Sequence, residues 1–420
     1  MNSEMLWKKA KENIMDGTFL YSKMPEVSVK GVTPIYFKRG EDSYAWDLND
    51  DKYLDLSIGL GPCILGYNNK EVNAAVIKQL NDGIIFSLPH PIEVEAAERL
   101  NEITNDDGYV RFLKSGAEAN LAALRIARAY TGRDIIISGD YHGWHDWTIA
   151  NTSRAAGIPQ FNQGLIYQAE YNNIASYREL FERYKGQVAA IILEPIVFNL
   201  PKDDFLNKLI QLAHDEGALV IFDEVVTGFR YCIGGAQKYL NAFPDITTYG
   251  KAIANGFPLA AVVGKKEIIE KVKDNIFISS TYGGECLSLA AFIANIKFMR
   301  DNNVHEHIYQ MGKNIKDGIN QICQLRGSSI RCIGEPARLN FEFNNSQGVY
   351  SLEIKTLFLQ ELIKRKIYYV WNLLPNYSMN NKDVDFLLDK IDEIVHLIVL
   401  AEKSGQMDNL IHGMKPITVV

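Results

Sequence analysis

One pattern dominates the middle of this chain: short apolar runs, each closed by a polar turn, alternate with stretches of helix formers. Asp134–Ser138 (DIIIS), Val188–Leu193 (VAAIIL), Ala218–Asp223 (ALVIFD) and Pro258–Gly264 (PLAAVVG) are four such runs. Each is apolar almost throughout, which predicts strands buried on both faces. Ser115–Tyr130 (SGAEANLAALRIARAY) and the stretch from about Phe205 to Glu216 predict helices, the first stopping at Gly132. Strands of this kind separated by helices predict an α/β fold, a largely parallel sheet covered on both sides. After about residue 286 the character changes. A helix from Leu287 to about Arg300 leads to two short strand patterns, Ala337–Phe343 (ARLNFEF) and Lys366–Val370 (KIYYV). Val384, Leu387, Leu388, Ile391, Ile394, Val395 and Ile398 then recur at three- and four-residue steps, an amphipathic closing helix. This region reads as a smaller α+β domain.

Length and composition narrow the function. At 420 residues the chain exceeds what one core usually serves, so a large and a smaller domain are expected. A net charge of −7 provides no basic footprint for nucleic acid. No apolar run reaches the roughly 18–20 residues of a membrane span, and the first residues lack the apolar core of a signal peptide. Cys63, Cys232, Cys286, Cys323 and Cys332 are scattered without a C-x-x-C pair, which fits reduced thiols in the cytoplasm rather than a disulfide framework. His142 and His145 beside Asp146 lack a third ligand, so no metal is expected. Gly59-Leu60-Gly61 runs into Pro62 and lacks the third glycine of a dinucleotide fingerprint, which argues against a dehydrogenase.

Three local signals carry chemistry, and each has a plainer alternative. Asp223 and Glu224 end a buried strand, where ligands bind in open α/β sheets; they are equally a solvated strand end or an ion pair. Lys251 follows Tyr249-Gly250 and precedes a small apolar run. Desolvation there lowers an amine's pKa and makes it a better Schiff-base nucleophile, whereas a lone lysine is ordinarily a surface residue. Ser115-Gly116-Ala117 opens a strong helix, whose free N–H groups and partial positive charge suit a phosphate. Ser115 with Glu118 three positions on is also a capping box. A phosphate cradle, an acid for a ring nitrogen and an imine-forming lysine are together the parts that pyridoxal phosphate (PLP) requires.

The segments FLKSGAEANLAALRIARAYTGRD, DYHGWHDW, LVIFDEVVTGFR, DITTYGKAIANGFPLAAVVG and SSTYGGECLSLAA resemble the class-III aminotransferases, nearest to the glutamate-1-semialdehyde 2,1-aminomutase-like branch. The match runs from about Gly31 to about Leu289 and is looser to the end. It implies PLP fold type I: a large domain over 61–300 with a mostly parallel seven-stranded sheet covered by helices. A smaller α+β domain over 301–420 packs with an N-terminal segment, 1–60. It also implies pyridoxal 5'-phosphate as cofactor and a homodimer with shared sites. In this resemblance Lys251 carries the cofactor as a Schiff base and shuttles the proton, and Asp223 pairs with the pyridine nitrogen. Val225 lies under the ring, Tyr141 stacks on its other face, and His142 lies beside it. Ser115, Gly116 and Ala117 hold the phosphate, although the family often has threonine where Ala117 stands. Glu194 and Asn199 approach the phenolic oxygen, and Thr281 reaches the phosphate of the neighbouring subunit.

The resemblance leaves the reaction open between two types. An aminotransferase takes nitrogen from a donor amino acid and passes it to a carbonyl acceptor; an aminomutase shifts the amine within one skeleton. The family's arginine-bearing SPVRAF-type segment reads SKMPEVSV here (Ser22–Val29), a departure from true aminomutases. SLPHPIEVE (Ser87–Glu95) and STYGGE (Ser280–Glu285) resemble aminomutase-like proteins of surface-polysaccharide and other specialised pathways. An aminotransferase is therefore the expectation, with Arg338 as a substrate anion holder or else a surface arginine before a strand. A non-catalytic protein of the same fold is the remaining alternative, and retention of Asp223 and Lys251 counts against it.

Overall fold

A computed structural model of the chain describes residues 2–104 and 108–417. Seven strands form one sheet in the order Gly108–Leu113, Ala260–Lys265, Ile246–Tyr249, Leu219–Glu224, Val188–Leu193, Ile135–Ser138 and Ile166–Gln168. The last five run parallel, and Ala260–Lys265 is antiparallel to both of its neighbours. This is the mostly parallel seven-stranded sheet expected. The run at Pro258–Gly264 enters the sheet reversed because only about ten residues, with one short helical turn at Lys251–Ala254, join its strand to Ile246–Tyr249. A parallel crossover needs a dozen or more residues. Gly108–Leu113, Ile166–Gln168 and Ile246–Tyr249 are strands that apolar runs did not single out, being short or broken by polar residues.

Successive side chains of a strand point to opposite faces, which divides the buried apolar residues into two layers. Ile136, Ile192, Ile221 and Ile246 pack with Ala119, Ala123 and Ile126 of the helix Gly116–Thr131. Ile137, Ile191, Val220 and Phe222 pack with Tyr177 and Phe181 of the helix Ile174–Arg183, and with Leu206 and Leu209 of the helix Phe205–Asp215. The helix Gly116–Thr131 starts and stops on local signals. Ser115 caps it, and Gly132 ends it at φ 66°, where a side chain would be strained.

Contacts divide the chain into two units: Lys70–His305, and the chain up to Asn69 together with that from Glu306 onward. These divisions lie beyond the expected ones at 60/61 and 300/301. Residues just past 60 are tied to the second unit by hydrogen bonds. The Tyr67 hydroxyl donates to Asp55 (2.6 Å), the Tyr377 N–H to the Ile64 carbonyl (2.9 Å) and the Ser378 hydroxyl to the Leu65 carbonyl (2.6 Å).

In that second unit, Phe37–Glu41, Tyr44–Asp47 and Lys52–Asp55 form an antiparallel sheet, and Ile367–Tyr368 adds parallel to the third strand. Arg331–Glu335 pairs antiparallel with Arg338–Glu342. The stripe Val384, Leu387, Ile391, Ile394, Val395 and Ile398 is buried along the helix Asn381–Ser404, against Leu357, Phe358 and Leu362 of the helix Leu352–Lys364 among others. Among the described residues no helix is long and apolar enough to cross a membrane.

Candidate active site

The site is built at the ends of two neighbouring parallel strands. Asp223 and Thr248 are register partners across Leu219–Glu224 and Ile246–Tyr249, so their side chains emerge on one face, towards the helix Gly116–Thr131. Asp223 is buried. Its Oδ2 accepts hydrogen bonds from the His142 Nδ1 and the Asn120 Nδ2, both at 2.7 Å, and its Oδ1 accepts the Val225 N–H at 3.0 Å. Burial pushes this carboxyl up, but the His142 hydrogen bond and charge, the Val225 N–H and the charge of Lys251 together outweigh it. The group is held below the usual carboxylate range. Asp223 is thus an anion inside the protein, with Lys251 near enough to act on it. Glu224 does not join it: the pleat sends its side chain to the opposite face, where it accepts from the Thr227 hydroxyl and the Ala236 and Gln237 N–H groups. The expectation that both acids face the ligand crevice is corrected for Glu224.

Lys251 leaves its strand by a tight turn. Gly250 is extended, then Lys251 adopts φ 43°, a left-handed conformation that costs a non-glycine residue on the order of 1 kcal/mol or more. The buried Asn295 holds the turn in place, its Nδ2 donating to the carbonyls of Ala252 and Ile253, both at 2.9 Å. Two glycines close around Val225. A Cβ on Gly116 would lie 2.7 Å from a Val225 methyl, and one on Gly250 would lie 3.1 Å away. This close approach brings the helix start, the strand end bearing Asp223 and the turn bearing Lys251 together.

At the helix start the capping reading holds, and it is compatible with an anion at the same place. The capping box is formed: the Glu118 carboxylate accepts the Lys114 and Ser115 N–H groups, and the Ser115 hydroxyl accepts the Glu118 N–H. It leaves the N–H groups of Gly116 and Ala117 unpaired among the described residues, at the positive end of a 16-residue helix. The loop after Ile135–Ser138 presses against this end, since a Cβ on Gly143 (φ 115°) would lie 2.7 Å from that of Ala117. In that loop His142 turns inward to Asp223 and stacks on Trp147, with ring centroids 6.1 Å apart, while Tyr141 is 56% exposed. His142 therefore reaches the carboxylate behind the site.

Glu194 is half-buried just past the strand Val188–Leu193, and Asn199 is exposed in the following loop. Thr281 is exposed in a segment that also exposes Phe277 and Tyr282. Arg338 belongs to the other unit, buried as the first residue of a strand, its Nε donating to the Asn372 Oδ1 at 3.4 Å. It is not the surface arginine of the plainer reading. Asn120, Thr248 and Asn295 were missed. The sequence shows Asn120 only as a polar residue one helical turn after Gly116 in an alanine-rich stretch, and nothing near it names its partners.

A planar ring with a basic nitrogen, an aldehyde and a phosphate finds its complements here: an ionised buried acid, an amine and unpaired helix N–H groups. The fold and this site define a PLP-dependent enzyme. The model of the class-III aminotransferases matches residues 27–395, and the chain belongs to that family, with pyridoxal 5'-phosphate as its cofactor. Solved structures share the fold. The FumI protein of Sphingopyxis sp. MTA144, in its PLP internal aldimine form, is 23% identical with a TM-score of 0.89, covering 96% of this chain and 98% of that one. An omega-transaminase from Sphaerobacter thermophilus is 23% identical with a TM-score of 0.86, covering 95% and 98%. A glutamate-1-semialdehyde aminomutase from Pseudomonas aeruginosa PAO1 is 19% identical with a TM-score of 0.82, covering 95% and 94%.

Proposed function

We propose that this enzyme is an aminotransferase moving an amino group from a donor amino acid to an aldehyde or ketone, as a cytoplasmic homodimer. The observation that carries the reading is the buried Asp223 carboxylate, held ionised by its hydrogen bonds with the charge of Lys251 acting on it. Bound cofactor supplies an electron sink that lets an amine-bearing carbon release its proton. The chain's own residues do the rest. Lys251 would hold the cofactor through its Nζ, and its free amine would take up and return the proton at that carbon. Asp223 keeps a proton on the ring nitrogen, and His142 keeps Asp223 aimed. The N–H groups of Gly116 and Ala117 with the Ser115 hydroxyl bind the phosphate. Val225 and Tyr141 cover the two ring faces, and Glu194 and Asn199 lie towards the phenolic oxygen. Arg338 holds a substrate anion.

The test is donor dependence. Single amino acids added to purified enzyme should discharge the cofactor's visible absorbance, and a carbonyl acceptor should restore it. Amine movement within one substrate, with no external donor, would instead make the chain an aminomutase. Borohydride reduction and peptide mapping should place the label on Lys251, and a label on another lysine removes it from this role.

The homodimer is supported by two exposed apolar segments that meet where the Cys286 N–H donates to the Ile84 carbonyl (2.9 Å). One carries Ile85, Phe86 and Leu88, the other Phe277 and Tyr282. Thr281 in the second segment reaches the partner subunit's phosphate. Mixing Lys251→Ala with Thr281→Ala subunits should restore one site of near-normal cofactor affinity. If every lysine-bearing site stays weakened, the threonine acts within its own subunit.

A further inference from the structure

The side chain of Asn120 sits where three elements converge, and its contacts leave one orientation. Its Nδ2 faces two acceptors, the Asp223 Oδ2 at 2.7 Å and the His142 backbone carbonyl at 3.0 Å. A carboxylate and a carbonyl only accept, so the amide must present its NH2 to both. The Oδ1 then faces the Thr248 hydroxyl at 2.6 Å, which must donate. The same logic passes to His142. Its Nδ1 lies 2.7 Å from the same Asp223 oxygen, so that nitrogen carries a proton. A closed ring of contacts results: the His142 carbonyl to the Asn120 amide, the amide to the carboxylate, and the carboxylate back to the His142 ring. Asn120, Thr248, Asp223 and His142 are all buried, so water cannot replace a lost partner cheaply.

We infer that Asn120 is a positioning residue for amino transfer: oriented by Thr248, its amide aims the Asp223 carboxylate and turns the Nδ1 proton of His142 towards it. The inference rests on the reading that Asp223 serves the ring nitrogen of the cofactor. The geometry explains why a polar residue interrupts the alanine-rich face of this helix. A purely structural asparagine needs partners of any kind, whereas this one spans the functional carboxylate and the backbone carbonyl of the histidine whose ring contacts it. Asn120 and His142 both reach the Oδ2 of Asp223 while its Oδ1 takes the Val225 N–H, so the direction of the carboxylate is set by these three together.

Four variants test this. Asn120→Ala removes the amide, and Asn120→Asp puts a second carboxylate beside Asp223, forcing the pair to share a proton. Thr248→Val removes the orienting hydroxyl at nearly constant volume, and Thr248→Ser keeps it. The first readout needs no cofactor: the nitrogen-15 spectrum of His142 in the apoprotein reports which ring nitrogen carries the proton. The second is the dissociation constant of pyridoxal phosphate from the full-length chain. Both Asn120 variants should alter the His142 spectrum and weaken the cofactor about 10- to 100-fold, the usual worth of a hydrogen bond to a charged group. Thr248→Val should move both readouts the same way by less, and Thr248→Ser should restore them. Should Asn120→Ala fold poorly, Thr248→Val with its serine rescue still decides the matter. An unchanged His142 spectrum and unchanged affinity in Asn120→Asp and Thr248→Val would overturn the inference. If the wild-type chain bound no pyridoxal phosphate, the proposed function would fall, while the apoprotein spectrum would still judge the role of Asn120.

Discussion

Asp223 and Glu224 are consecutive carboxylates, both buried, at the end of one strand, yet the two faces of the sheet treat them in opposite ways. On its face Glu224 has three neutral donors: the Thr227 hydroxyl at 2.9 Å and the Ala236 and Gln237 N–H groups at 2.6 and 2.7 Å. Burial still wins, and with repulsion from Asp223 added, its carboxyl is pushed up to about 7. Asp223 has a comparable set of donors, but the charges of His142 and Lys251 act on it as well, and it is held low. Neutral hydrogen bonds satisfy a buried acid without keeping it charged; nearby positive charge decides whether it stays an anion. One face is thereby equipped for reaction. On the other, Glu224 ties the start of the helix Gly235–Leu240 and the loop at Thr227 back onto the sheet.

The sharpest way to break this contrast is Asp223→Asn, which keeps shape and removes charge. Amino transfer at saturating cofactor should fall on the order of 100-fold or more, because an amide cannot keep a ring nitrogen protonated. Near-normal turnover would mean that the charge is not what the site uses.

Glu224→Gln tests the other face, and its signature is stability against pH. A carboxyl raised in the folded state contributes stability that is fully present below its unfolded value near 4.5 and is lost as pH rises through about 7. The loss amounts to on the order of 3 kcal/mol. Denaturant midpoints at about pH 5 and about pH 8 should therefore differ less in Glu224→Gln than in the wild type. Asp223, held low, slopes the other way: its contribution is present above the unfolded value and lost as pH falls through the depressed one. A variant with an unaltered pH slope would remove Glu224 from this account.

Gly116→Val examines how tightly the reactive face is packed. Its branched side chain would press on Val225, where a Cβ alone already lies 2.7 Å away. Overpacking of this kind costs about 1–3 kcal/mol. A lowered thermal midpoint together with weaker cofactor binding is the expected outcome, and an unchanged pair would show that Val225 moves aside freely. The smallest effect belongs to Thr227→Val, which takes one neutral donor from Glu224. About 1 kcal/mol of stability should go, more of it above neutral pH than below. Equal losses at both pH values would show that the hydroxyl does not serve the ionised carboxylate.

Much of the fold could be read from the chain because its signals are local. Val188–Leu193 is a strand over the residues expected, and the helix from Gly116 opens on the Ser115–Glu118 box and closes at Gly132. The closing helix follows its apolar stripe. The reversal of Ala260–Lys265 and the strand Ile246–Tyr249, whose ITTY is half threonine, were less legible. Pairing partners along the sheet, not intrinsic preference, make strands of such segments.

Lys251 and Asp223 could be put forward from the sequence because the segments around them resemble the family's own. Asn120 could not: the carboxylate it serves is 103 positions away, and the hydroxyl that orients it is 128 away. By itself the sequence determined most of the elements, where the helix Gly116–Thr131 begins, and which lysine and acid are proposed for the cofactor. Only the tertiary structure decided that Asp223 is an anion and Glu224 a near-neutral staple. Charge state in a buried site is set by desolvation and by groups brought close from distant parts of the chain, and neither is written in the residues next to it.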